Sequence, residues 1–137
     1  MRYGLLCLFH LFCFLSFVFL SGMRLLKDLN IFVIPGSEAE PYLYGFEWNI
    51  LIPALIYTLL FYAGSYLLLI KHRLALKIYV AGWVLYLFVF AFVLVRDFAY
   101  LDFKYFYENG LLGILVYSAL TYLVFKKHRL NSQHHVT

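Results

Sequence analysis

The chain reads as an all-α integral membrane protein, four transmembrane helices packed as one small bundle. Three observations carry that expectation. Of 137 residues, 65% are hydrophobic and 13% charged, with mean hydropathy +0.85; a soluble domain holds about 45–50% apolar and about 25% charged residues. The 15 Phe and 13 Tyr bring more apolar surface than one small aqueous core can bury. Finally, residues 5–23, 50–70, 78–95 and 111–125 contain no Asp, Glu, Lys or Arg. A spanning helix needs about 20 mainly apolar residues. Membrane-barrel strands alternate polar and apolar residues, and these runs do not.

Helix one is expected at 5–23. Its positive start and greasy middle also fit a signal peptide, but the exit Phe19-Leu20-Ser21-Gly22 has no small-x-small cleavage pattern, so the segment reads as retained. Cys7, His10 and Cys13 lie at steps of three on one broad face. Thiolate and imidazole suit zinc or cuprous copper. Three such ligands on one helix nevertheless span about 9 Å, which makes them a weak metal candidate and favours packing. Haem ligation needs a second histidine at the same depth. His72 and His128 lie at a boundary instead. No cofactor is expected.

An outer loop at 24–49 follows, too long for a simple connection. It holds an apolar tetrapeptide, Ile31, Phe32, Val33 and Ile34, closed by Pro35-Gly36, and an aromatic series including Tyr42, Tyr44 and Trp48. These seven residues are the candidate partner-binding set, because exposed apolar patches of this kind are covered by a bilayer interface or by another protein. Ser37 and Glu40 have capping-box spacing, and Pro41 limits any helix there to about one turn.

Helix two is expected at 50–70, with Pro53 in its first turn; a start at Asn49 would place Pro53 inside the helix. An inner loop at 71–77 leads to helix three at 78–95, and an outer loop at 96–106 to helix four at 107–125. The tail 126–137 completes the chain. Tyr62, Ser65 and Tyr66 on helix two, and Ser118, Thr121 and Tyr122 on helix four, form polar stripes suited to cross-helix hydrogen bonds or a narrow polar path.

The tetrad Lys-His-Arg-Leu ends two apolar runs, at 71–74 and 127–130. Aligning 55–74 with 111–130 matches nine of twenty positions, so a pseudo-repeat of two helical hairpins and coincidence in a Leu/Tyr-rich alphabet both remain open. The tetrads also set orientation. One side of a four-span chain carries Arg2, Lys71, Arg73, Lys77, Lys126, Lys127 and Arg129 without an acid; the other carries Arg24, Lys27, Arg96, Lys104 and all 7 acids. Basic short loops stay cytoplasmic, which places both termini inside, in a plasma (bacterial inner) membrane with anionic headgroups.

The sequence holds no P-loop, no HExxH, no nucleophile elbow and no glycine fingerprint. Ion-coupled transport calls for an ionisable carboxylate or amine at membrane depth, and the apolar runs supply none. The net charge of +4 is topological and implies no nucleic acid. The expected function is therefore that of a non-enzymatic accessory or binding subunit, an immunity-type role being one form of it, that recognises another membrane protein through helix faces and aromatic outer loops. The alternative is a self-associating transporter or channel that uses the hydroxyl stripes.

Overall fold

A computed structural model describes the backbone of residues 2–31, 47–97 and 103–134, and the side chains of 2–31, 47–95 and 111–133. Four helices appear in chain order: α1 (Tyr3–Asp28), α2 (Trp48–Leu69), α3 (Ala75–Asp97) and α4 (Phe103–His134). Three helices, Tyr3–Asp28, Trp48–Leu69 and Ala75–Val95, are long and apolar enough to cross a membrane. The fourth carries its apolar part and the basic tail in one continuous helix.

Every helix starts before the apolar run that announces it, and α1, α3 and α4 also end beyond it. In α1 nothing between Met23 and Asp28 breaks a helix, and Arg24 pairs with Asp28 one turn on at 3.1 Å. The stop comes at Asn30, in the left-handed region at φ 54°. Its N–H donates to the Lys27 carbonyl and that of Ile31 to the Leu26 carbonyl, both at 3.0 Å. These are the two closing bonds of a Schellman cap, and asparagine is the side chain after glycine that tolerates it best. The end of α2 is built the same way around Lys71 at φ 56°, with N–H groups of Lys71 and His72 on the Leu68 and Leu67 carbonyls at 3.2 and 2.8 Å. The reversal is short, so Lys77, expected in the loop, lies in the first turn of α3 instead. Likewise 126–134, expected as tail, is helical.

Pro53 lies inside α2 rather than in its first turn. The helix opens earlier because the Trp48 indole N–H donates to the Asp28 carboxylate at 2.6 Å, which ties the start of α2 to the end of α1. The missing Pro53 N–H leaves the Asn49 carbonyl without its usual partner one turn on.

Helix α2 occupies the centre. Its buried residues Leu51, Ala54, Tyr57, Phe61, Gly64 and Leu68 recur at steps of three and four, one face of a helix. It packs against α1 on one side and α3 on the other, and α3 packs against α4. Two glycines set the α2–α3 distance. A Cβ on Gly64 would sit 2.8 Å from the Tyr79 backbone Cα and N, and one on Gly82 3.2 Å from the Phe61 N. Helices in lipid gain little from hydrophobicity against each other, so close backbone approach through small residues supplies their van der Waals attraction. The outer surface is apolar, with Leu5, Phe12 and Phe19 on α1 and Phe88 on α3 all more than half exposed.

Candidate functional site

Among the described residues, His10 brings a buried imidazole to the centre of the bundle. It is 1% exposed, and each of the other helices directs a ring to it. From α3, the Tyr79 hydroxyl shares a hydrogen bond with His10 Nε2 at 2.8 Å. From α2, Phe61 stacks on the imidazole at 5.0 Å and 6°; from α4, Tyr117 lies near-parallel at 6.2 Å and 12°. Phe61 and Tyr117 in turn stack on each other at 4.9 Å and 8°. Tyr57 and Tyr86 extend the cluster, edge-on to one another at 5.2 Å, with Tyr86 tilted on Tyr117 at 4.7 Å. Such pairs are each worth about 0.5–1.5 kcal/mol beyond area burial.

Sequence reasoning singled out His10 but missed Phe61, Tyr79, Tyr117, Tyr57 and Tyr86. One signal was available: Tyr79 and Tyr86 stand seven apart on α3, and Tyr57 and Phe61 four apart on α2, so each pair shares a helix face. The C-x-x-H-x-x-C set is not gathered around one point. His10 faces the rings, the Tyr117 hydroxyl lies against the Cys13 sulfur, and Cys7 and Cys13 are half-buried free thiols. Among the described residues no group of three or more His, Cys, Asp or Glu could hold a metal ion.

The hydroxyl stripes divide. Ser65 and Thr121 are buried and donate to carbonyls of their own helices, at Tyr62 and Tyr117, at 2.8 and 2.7 Å. Thr58 does the same toward Ala54 at 2.6 Å. Ser118 accepts from the Trp83 indole N–H at 3.1 Å, joining α3 to α4. Tyr66 and Tyr122 face outward, 48% and 64% exposed, and Tyr62 is half-buried. No polar path between α2 and α4 is made by these groups.

Of the partner-binding set, Ile31 is exposed and Trp48 is half-buried against Asp28. Phe32, Val33, Ile34, Tyr42 and Tyr44 lie outside the described residues, as do Ser37 and Glu40. The basic set gathers at the opposite end. Lys71 and Arg73 line a cleft of about 590 Å³ together with Tyr3, His72, His128 and Asn131. Lys127 Nζ stands 4.1 Å above the Tyr3 ring. Lys77, Lys126 and Arg129 are exposed and do not line the cleft.

The chain matches no known family model, none of the curated proteins compared with it and no solved structure.

Proposed function

We propose that the chain is a four-span membrane protein with both termini in the cytoplasm of a bacterial inner membrane, acting as a non-enzymatic accessory or binding subunit for another membrane protein. One observation carries this reading: rings from all four helices occupy the centre around His10, and the hydroxyls of Thr58, Ser65 and Thr121 are used by their own helix carbonyls. An interior filled in this way favours a role played at the outer surface over one played inside the bundle. Recognition is left to the outer surface, above all to the apolar segment 31–34 and the aromatic loop after it.

Burying two large apolar side chains is worth about 1.5–3 kcal/mol each, enough to weaken binding by tens- to thousands-fold when they are lost. Phe32→Ser with Ile34→Ser should therefore abolish co-purification of a stoichiometric partner in mild detergent and leave insertion and protein level unchanged, since insertion depends on the apolar runs. Recovery of the unaltered chain as a homo-oligomer that conducts solute into liposomes overturns this reading in favour of the transporter. A collapse in protein level instead assigns 31–34 to internal packing.

A further inference from the structure

We propose that the first Lys-His-Arg-Leu tetrad, together with His128 of the second, forms a site for the phosphodiester headgroup of an anionic phospholipid. The inference rests on the bilayer placement proposed above, which sets this end of the bundle at headgroup level. Although far apart in sequence, Lys71, His72 and Arg73 of the α2–α3 turn and His128 of α4 line one cleft of about 590 Å³.

The donors suit a phosphodiester. An arginine fork binds two phosphate oxygens at once, and a lysine adds a mobile charge. His72 Nδ1 accepts the Leu74 N–H at 3.2 Å, so in the neutral ring the proton sits on Nε2, which is left as a donor. Tyr3, also lining the cleft, has a buried hydroxyl with no hydrogen-bond partner among the described residues. No Asp or Glu occurs in 1–27, 48–96 or 109–137, so no carboxylate from the segments meeting here competes for these cations. The rest of the lining decides between a lipid and a free anion. Leu68, Leu69 and Ala75 form an apolar wall beside the charges, as an amphiphile requires and a free phosphate does not.

The test uses the full chain in mild detergent, offered phosphatidylglycerol or phosphatidylcholine, with bound lipid counted by native mass spectrometry. A single phosphatidylglycerol should be retained in preference to phosphatidylcholine. Combining Lys71→Gly with Arg73→Gln should weaken that retention about thirtyfold. Lys77→Gln, in a residue outside the cleft, should leave it unchanged. Lys71→Gly also relieves a positive φ, so the fold is not put at risk. Equal retention of the two lipids, equal loss in both variants, or complete displacement of phosphatidylglycerol by inorganic phosphate each overturns the lipid site. Carbonate extraction of the same membranes separates this from a failure of the placement: a chain washed off the membrane overturns the bilayer reading itself.

Discussion

His10 carries two nitrogens into a surface otherwise lined by rings, and Nε2 meets the Tyr79 hydroxyl 2.8 Å away. Removing one side of a buried pair strands the other, so the loss exceeds the worth of the bond itself. His10→Phe keeps a flat ring for the Phe61 and Tyr117 stacks but strands the Tyr79 hydroxyl. It should destabilise the protein by about 1–2 kcal/mol in detergent unfolding. Adding Tyr79→Phe should restore most of that loss, and a double variant no better than His10→Phe alone would show that the bond contributes nothing. The sequence displays His10 openly as a polar residue in an apolar run. What it hides is the partner, 69 positions away on another helix. Local spacing pairs His10 with Cys7 and Cys13, and only the way the helices pack replaces those neighbours with rings.

The glycines within the described helices are not equivalent. Gly64 and Gly82 face backbone, whereas added Cβ atoms on Gly4 and Gly22 meet nothing within 4 Å. Gly64→Ala forces α2 and α3 apart at Tyr79 and should cost about 1–3 kcal/mol, as overpacking does. Gly22→Ala should stay within about 0.5 kcal/mol. Thermal unfolding in detergent distinguishes them, and equal effects would show that the close approach at Gly64 is not a constraint. Both classes look alike in the sequence. An apolar run locates the middle of a helix because lipid-facing residues must be apolar, but it says little of the ends. Those depend on caps such as Asn30 and Lys71, where residues other than glycine hold a left-handed turn, and on ties such as Trp48 to Asp28.

At the scale of the whole molecule, four helices were legible from four uncharged runs, and the proposed orientation from where Lys and Arg fall. On that orientation, cysteine replacing Ser37 or Asp102 should be labelled from outside intact cells in a background lacking Cys7 and Cys13, and cysteine replacing Asn131 should not. Labelling at Asn131 reverses the topology. The pairing of 55–74 with 111–130 gains spatial content. Ser65 and Thr121, matched in that alignment, are both buried and bond back to their own helices; Tyr66 and Tyr122 both face outward. Phe61 and Tyr117 occupy matching positions too, and they stack on each other. The packing does not repeat in the same way: α2 packs closely on α3, but among the described residues α4 makes no matching backbone contact with α1.

The close approach at Gly64 bears on what kind of machine this bundle can be. Transporters built from two related halves work by rocking one half against the other about a central seam. Here the seam between the hairpins is the α2–α3 contact, where Gly64 meets the Tyr79 backbone too closely for even a methyl group between them. Residues 70–74 alone connect the two helices beyond it. A contact this close leaves no room for a solute at that seam, which accords with the proposed binding subunit better than with a rocking transporter.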